Sequence, residues 1–215
     1  MVHPQAANIR GLYAIADTAT IDDALLCDKV RLVLSGGCSV LQYRDKSSDK
    51  EKRLSQAREL RKLCSDYEAV FIVNDDAELA MQVNADGVHC GKNDASVSET
   101  RGLYPGLLIG ATCYNSLERA ELAVHDGADY LAFGSFYPSP TKPSATPAAI
   151  ETLQEASKRF DRPLVAIGGI MAENAPLLIS SGASAVAVIN SVFSTADPYR
   201  SSQQFCAMFS KQNRE

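Results

Sequence analysis

Eight short apolar segments recur along the chain, and a longer stretch with helical character follows each of them. Apolar runs with little alternation are typical of parallel strands covered on both faces, and regular alternation with helices predicts βαβ units. We therefore predict eight strand-helix units in one domain spanning residues 1–215, with residues 1–10 as an N-terminal extension. The predicted strands are 12–17, 40–44, 70–75, 87–91, 107–113, 130–136, 163–169 and 185–190.

Eight such units in 215 residues predict an α/β fold of the (β/α)8 type, a TIM barrel near the small end of its size range. The alternative is an open doubly wound sheet, which normally has fewer strands and a glycine-rich first turn. The first turn here, LYAIADTAT, contains no GxGxxG pattern. Helix signals agree with the barrel, because Ser116 precedes LERAELAVHDG and Gly127 ends it, as expected for a helix capped at both ends.

Composition narrows the class of protein. The net charge is −5, from 21 basic and 26 acidic residues, which argues against a phosphate-neutralising surface for nucleic acid. The six cysteines show no metal-ligand spacing, and residues 1–10 have no apolar core of a signal peptide. No apolar run reaches the roughly 18 to 20 residues that span a bilayer. We expect a cytoplasmic protein without nucleic-acid or membrane partners, and the sequence leaves homo-oligomer formation open.

Polar residues that are difficult to explain as surface fall at the carboxyl ends of the predicted strands, which form the catalytic face of a barrel. Taken singly, each has a structural alternative: a cation can extend to solvent at a strand end, and residues 74–76 can cap a helix. His89 can be a hydrogen-bonded structural histidine and Asp94 a turn residue. The residues are Asp17, Gln42, Arg44, Lys46, Asn74, Asp75, His89, Asp94, Thr112, Ser139 to Lys142, Gly168, Gly169 and Asn190.

The segment LQYRDK (41–46) is the most informative of these strand ends. Side chains alternate across a strand, so Gln42, Arg44 and Lys46 share one face. Arginine supplies a planar donor fork and lysine a point charge, whereas Asp75 and Asp94 supply the hard oxygen ligands that Mg²⁺ takes. Together with an asparagine amide, this set predicts a magnesium-dependent pyrophosphate site.

A second anion site is predicted on the other side of the barrel. Strand 7 ends in AIGG (166–169) and strand 8 in VIN (188–190), and backbone N–H groups at these turns commonly hold a monophosphate in barrels. The alternative is that the two glycines only make a tight turn. Between the two sites, residues 136–147 form a long proline-rich loop with Lys142 at its centre, as expected for a lid or binding loop.

The motifs, taken together, resemble the thiamine phosphate synthase family over nearly the whole chain. LQYRDK, FIVNDDAELA, ADGVHCGKND, LIGATCYNSLERA, GADYLAFGSFYPSPTK, VAIGGI and GASAVAVINSVF follow the motifs of that family in order and spacing. The resemblance implies a transferase that joins hydroxymethylpyrimidine pyrophosphate to hydroxyethylthiazole phosphate, with Mg²⁺, and gives thiamine monophosphate and pyrophosphate by a dissociative substitution.

The resemblance also implies roles for particular residues. Arg44, Lys46 and Lys142 would be catalytic, and Asp75 and Asp94 would hold Mg²⁺. The implied substrate-binding residues are Gln42, Tyr43, Arg44, Asp45, Lys46, Asn74, Thr112, Ser139, Pro140, Thr141, Lys142, Gly169, Ile189 and Asn190. Three positions depart from the usual pattern of the family: Thr112 replaces serine, Ser139 replaces threonine, and Asn190 replaces serine.

Two other functions compete with this interpretation. A thiazole tautomerase of the same fold would need no metal and would be expected to carry a histidine where this chain has Tyr114. A non-catalytic phosphate-binding protein on the same scaffold is the second alternative, because a fold alone does not establish an activity. The pairing of carboxylates with pyrophosphate-binding cations favours the synthase over both.

Overall fold

The structure, a computed structural model, describes residues 3–91, 96–138 and 147–212. Eight parallel strands close into a barrel in the order of the chain, so that each strand pairs with the next and β1 pairs with β8. This confirms the predicted (β/α)8 fold, and the predicted strands agree with the observed ones to within two residues at either end. The strands are β1 Gly11–Asp17, β2 Val40–Arg44, β3 Val70–Asn74, β4 Gly87–Cys90, β5 Leu108–Tyr114, β6 Tyr130–Gly134, β7 Leu164–Ile167 and β8 Ala185–Val188.

Helices surround the barrel and connect its strands. Within the described residues, none of them is both long enough and apolar enough to cross a membrane. The predicted cap at Ser116 is confirmed, because its side chain accepts a hydrogen bond from the Arg119 N–H at the start of the fifth helix. The α-helices are α1 Leu26–Ser35, α2 Lys50–Asp66, α3 Ala77–Gln82, α4 Val97–Leu103, α5 Leu117–His125, α6 Ile150–Arg159, α7 Ala175–Ser180, α8 Asn190–Phe193 and α9 Pro198–Gln212.

The alternation of side chains along each strand separates two apolar cores. In β2, Leu41 and Tyr43 are buried in the layer between barrel and helices. Val40, by contrast, belongs to the smaller core inside the barrel. Gln42 and Arg44 share this inward face, and both line a cavity at the carboxyl ends of the strands. The polar face of LQYRDK is therefore directed to the barrel interior, as its alternation predicts.

The N-terminal segment closes the opposite end of the barrel. Pro4–Asn8 form a short 3₁₀ helix, and Ile9 is fully buried among the interior side chains. The backbone N–H of His3 donates to the Asp129 carboxylate at 2.8 Å. These contacts tie the segment to the amino ends of the strands, so the carboxyl ends are the open side on which a ligand can enter.

Gly110 on β5 makes room for a tyrosine inside the barrel. A Cβ at this position would lie 2.0 Å from the ring of Tyr130, its neighbour on β6. We expect Gly110→Ala to lower the free energy of unfolding by about 2 to 3 kcal/mol, because overpacking a dense core forces side chains from their rotamers. Gly102→Ala in α4 is the matched control: nothing lies within 4 Å of its Cβ, and a helical alanine should stabilise slightly. Urea unfolding of both variants measures the difference, and equal stabilities would contradict the expected overpacking.

Candidate active site

The end of β2 and the end of β1 are joined by an ion pair. The strand register places Asp17 beside Arg44, and the Arg44 guanidinium donates to the Asp17 carboxylate at 2.6 Å. The Asp17 side chain is almost completely buried, whereas Arg44 stays a quarter exposed toward the cavity. A buried carboxylate that holds one edge of the guanidinium orients the remaining donors, so Arg44 is preorganised for an anionic ligand.

A second cation and a carboxylate lie beside the cavity at the end of β3. Lys46 forms an ion pair with Asp75, and the Asn74 amide also donates to the Asp75 carboxylate. Asp75 has a positive φ of 62°, and its N–H donates to the His89 carbonyl at 2.9 Å. Asp76, not Asp75, caps helix α3 through the Leu79 N–H. The helix-capping alternative is therefore correct for Asp76. Asn74 and Asp75 instead form a polar cluster with Lys46.

The ends of β7 and β8 form the opposite wall of the cavity. Gly168, Gly169, Ile189 and Asn190 line it. Gly168 and Gly169 have φ of 102° and 60°, and a Cβ on Gly168 would lie 2.0 Å from the Ser135 hydroxyl. Both the backbone conformation and the close approach require glycine, as the tight-turn alternative expects, and the second anion site stays a prediction for the same segment.

The cavity between these walls has a volume of about 350 Å³. Ligand sites commonly combine apolar walls with a few placed polar groups, and this cavity has that character, with Ile15, Val165 and Ile167 among the lining side chains. The predicted site residues that it brings together are Gln42, Arg44, Asn74, Thr112, Gly169, Ile189 and Asn190. Lys46 and Asp75 lie next to them, in contact with Asn74 through the Asp75 carboxylate.

Two residues that the family resemblance places among the substrate contacts have their side chains elsewhere. Tyr43 is buried outside the barrel and donates to the Gln56 amide oxygen at 2.8 Å. The Asp45 side chain is completely buried, accepts from the Ser47 N–H at 2.6 Å and pairs with Lys52 at 3.0 Å. Tyr43 follows the outward alternation of β2, Asp45 lies just after the strand, and neither side chain lines the cavity.

Asp45 provides a test by pH. Burial acts to raise the pKa of its carboxyl, but hydrogen bonds from Ser47 and Lys52 outweigh it and lower the pKa to about 2. An unfolded aspartate titrates near pH 3.9, so the stabilisation is complete above that pH and is lost as the pH falls toward 2. We expect Asp45→Asn to lower the free energy of unfolding by about 1 to 2 kcal/mol at pH 7. The deficit should shrink steadily in urea titrations between pH 5 and pH 2.5, whereas a deficit independent of pH would contradict the assignment. Exposed Asp66 supplies the control variant Asp66→Asn.

The remaining predicted site residues lie outside the described part of the chain. These are the metal ligand Asp94 and the loop residues Ser139, Pro140, Thr141 and Lys142. Among the described residues, no group of three or more His, Cys, Asp or Glu side chains is arranged to hold a metal ion. Asp75 therefore stands as the one predicted metal ligand whose surroundings the structure describes.

Two tyrosines of the cavity were missed by sequence reasoning. Tyr13 on β1 and Tyr130 on β6 line the cavity, and their hydroxyl groups are 2.9 Å apart. The alternation of β1 could have indicated that Tyr13 faces the barrel interior, because Tyr13 lies on the same strand face as Asp17. Gly110 was a second signal, since a glycine inside a strand often marks the close approach of another group.

The cysteines contribute packing and not nucleophiles to this site. All six lie in the described residues, and none of them forms a disulfide. Burial raises the pKa of Cys113, on β5, and of Cys38 to about 12 in each case. A thiol that stays protonated at neutral pH is a poor nucleophile, so Cys113 contributes to packing and not to chemistry.

Comparison of the sequence with known proteins identifies the family of this chain. The sequence profile described as thiamine monophosphate synthase matches residues 12–192. The thiamine-phosphate synthase of Nitrosococcus oceani is 47% identical over 193 residues, which cover 89% of each chain. The enzyme of the same name from Thiobacillus denitrificans is 45% identical over 206 residues, 95% of this chain and 97% of the relative.

A solved structure agrees with these sequence relatives. The thiamine phosphate pyrophosphorylase from Pyrococcus furiosus superimposes with a TM-score of 0.87 at 32% identity, covering 95% of this chain and 98% of the other. Both the sequence and the barrel therefore match proteins of one kind over nearly their whole length. The chain belongs to the thiamine monophosphate synthase family.

Proposed function

We propose that this protein is a thiamine phosphate synthase, a transferase that joins hydroxymethylpyrimidine pyrophosphate to hydroxyethylthiazole phosphate and releases pyrophosphate. The observation that carries the proposal is the polar wall formed by the ends of β2 and β3. There Arg44 is oriented by buried Asp17, and Lys46 and Asn74 meet at Asp75. Relatives named thiamine-phosphate synthase, at 45% and 47% identity over most of the chain, support the same activity.

The pyrophosphate of the pyrimidine substrate fits the wall that contains Arg44. A guanidinium offers paired donors to phosphate oxygens, and an ammonium adds a charge that follows the ligand. The Lys46 side chain is half exposed, so it can move from Asp75 to a pyrophosphate oxygen without a large desolvation cost. Lys142, which lies outside the described residues, is proposed to add a further cation from the predicted loop 136–147.

Magnesium fits the carboxylate at the end of β3. The Asp75 carboxylate is a hard oxygen donor that already contacts the positive charge of Lys46, so its surroundings accept a cation. Asp75 would hold the ion together with Asp94, since Mg²⁺ usually takes one or two carboxylates and completes its shell with water and phosphate oxygens. When bound, the ion supplies charge neutralisation for the pyrophosphate leaving group.

The two organic rings are proposed to lie in the cavity between the polar walls. The pyrimidine ring would lie next to Gln42, deeper than its pyrophosphate, because Gln42 precedes Arg44 by one inward-facing position on β2. The phosphate of the thiazole substrate would lie at the opposite wall, against backbone N–H groups near Gly169 and Asn190. This arrangement directs the thiazole nitrogen toward the methylene carbon of the pyrimidine.

Catalysis in this arrangement depends on electrostatic stabilisation. As the bond from the methylene carbon to the pyrophosphate breaks, negative charge grows on the leaving group, where Arg44 and Lys46 are already placed. The amino-substituted pyrimidine shares the positive charge left behind, and the thiazole nitrogen then forms the new carbon–nitrogen bond. The reaction needs no protein nucleophile, so the protonated thiol of Cys113 is consistent with it.

The direct test is pyrophosphate release from the purified protein. We expect release only when the pyrimidine pyrophosphate, the thiazole phosphate and Mg²⁺ are all present, with thiamine monophosphate formed in equal amount. Binding of both substrates without turnover would overturn the synthase and favour a phosphate-binding protein. Turnover of a thiazole carboxylate phosphate without metal would favour the tautomerase, in which a histidine is expected at the position of Tyr114. The expected cytoplasmic location stays a prediction.

A further inference from the structure

Five side chains from five different strands form a continuous hydrogen-bonded chain across the barrel. The Gln42 amide nitrogen donates to the Tyr13 hydroxyl at 2.8 Å, which lies 2.9 Å from the Tyr130 hydroxyl. The Tyr130 hydroxyl is 3.0 Å from Nδ1 of His89, and Nε2 of His89 is 2.8 Å from the Thr112 hydroxyl. All five residues line the cavity, and the chain connects the Gln42 side of it to the Thr112 side.

The two tyrosines of this hydrogen-bond chain lie in the buried interior of the barrel. Tyr13 and Tyr130 are essentially inaccessible to solvent, and the absence of a side chain at Gly110 gives the Tyr130 ring its place. Burial raises the pKa of both hydroxyl groups well above its ordinary value, so both keep their protons at neutral pH. Each tyrosine therefore brings one proton to the chain and can donate only once.

The number of available protons favours one direction for this hydrogen-bond chain. The Tyr13 hydroxyl accepts from the Gln42 amide nitrogen, which cannot accept in return, so we assign the Tyr13 proton to the contact with Tyr130, in which either hydroxyl can donate. With this assignment Tyr130 in turn donates to Nδ1 of His89, and Nδ1 must then be unprotonated to accept. The neutral ring then carries its proton on Nε2 and donates it to Thr112, whose hydroxyl proton is left for another acceptor.

We infer that Tyr13, Tyr130 and His89 are positioning residues that form a one-way hydrogen-bond chain, which fixes Gln42 to present its amide oxygen and Thr112 to present its hydroxyl proton to a ligand. A ligand in the cavity would therefore need a hydrogen-bond donor next to Gln42 and an acceptor next to Thr112. A ring with an exocyclic amino group can supply the donor, and a phosphate oxygen or a ring heteroatom can supply the acceptor. This choice of ligand rests on the proposed function.

The direction of the chain is tested on the protein alone, without substrate. Histidine labelled with ¹⁵N shows by NMR which ring nitrogen carries the proton, and the sequence has only three histidines, so His3→Gln and His125→Gln identify the signals of His89. We expect the Nε2–H tautomer, with Nδ1 as an acceptor whose shift changes in Tyr130→Phe. A proton on Nδ1 would overturn the inference, because the chain would then run toward Gln42. This result stands whether or not the synthase activity is found.

Steady-state kinetics of variants test whether the hydrogen-bond chain contributes to substrate binding. We expect Tyr13→Phe to lower kcat/KM for the pyrimidine substrate by about tenfold, mainly through KM, since it removes the acceptor that orients the Gln42 amide. Adding Gln42→Ala to Tyr13→Phe should then cost much less than Gln42→Ala costs alone. Fully additive losses would overturn the inference. Tyr199→Phe, which removes an exposed tyrosine hydroxyl on α9, is the control and should keep normal kinetics.

Discussion

Replacing Arg44 with alanine is expected to lower kcat/KM for pyrophosphate release by about 10²- to 10⁴-fold. A hydrogen bond to a charged group contributes about 1.5 to 3 kcal/mol, and the guanidinium can make two such bonds to the leaving group. The loss should fall on kcat more than on KM, because the charge on pyrophosphate grows as the bond breaks. Steady-state measurement of pyrophosphate release at saturating Mg²⁺ gives both constants.

Three further variants show whether the effect comes from oriented charge at this site. Arg44→Lys keeps the charge without the planar fork and should recover only part of the activity. Asp17→Asn leaves Arg44 in place but weakens the 2.6 Å ion pair that orients it, so we expect a smaller loss than for Arg44→Ala. Arg58→Ala removes an exposed arginine from α2 and should leave the rate unchanged. Near-normal turnover in Arg44→Ala would show that pyrophosphate binds elsewhere.

Replacing Asp75 with asparagine is expected to lower turnover by on the order of 100-fold or more and to raise the Mg²⁺ concentration needed for half-maximal rate. The change removes the negative charge that we propose as a metal ligand. Asparagine is chosen because the residue has a positive φ of 62°, a conformation that asparagine adopts more readily than alanine does. The measurement is the rate of pyrophosphate release as a function of Mg²⁺ concentration.

The control for this variant separates the metal from the fold. Asp161→Asn changes an exposed aspartate far along the chain, at the turn before β7, and should leave both the rate and its Mg²⁺ dependence unaltered. Thermal unfolding of Asp75→Asn should stay close to that of the unmodified protein, since the backbone conformation is preserved. An Asp75→Asn protein that keeps the normal Mg²⁺ dependence would exclude Asp75 as a ligand.

The directions of some site side chains could be predicted from the sequence, because they depend only on the local periodicity of a strand. The alternation along β2 predicts that Gln42 and Arg44 face the barrel axis, and both line the cavity. The same alternation directs Tyr43 outward, although the family motif includes it among substrate contacts, and Tyr43 is buried beneath the helices. Where periodicity and motif disagreed, periodicity described the side chain correctly, because the pleat of a strand leaves no other direction.

The partners of these side chains were not readable in the same way. Arg44 pairs with Asp17, which lies 27 positions earlier, and Tyr13 meets Tyr130 across a separation of 117 positions. Such contacts depend on the register between strands and on the closure of the barrel. Residues 74–76 show the same limit: a helix cap and a proposed metal ligand are both aspartates, and only the structure shows that Asp76 caps the helix while Asp75 pairs with Lys46.

The sequence by itself determined the eight strand-helix units, the inward and outward faces of the strands and the concentration of polar residues at their carboxyl ends. Each of these follows from the chemistry of neighbouring residues and the fixed period of a strand. Only the tertiary structure decided that Asp17 orients Arg44, that Lys46 meets Asp75, and that Tyr13 and Tyr130 carry a hydrogen-bond chain across the cavity. Those pairings come from packing and barrel closure, which bring distant segments to hydrogen-bond distance and which no local pattern encodes.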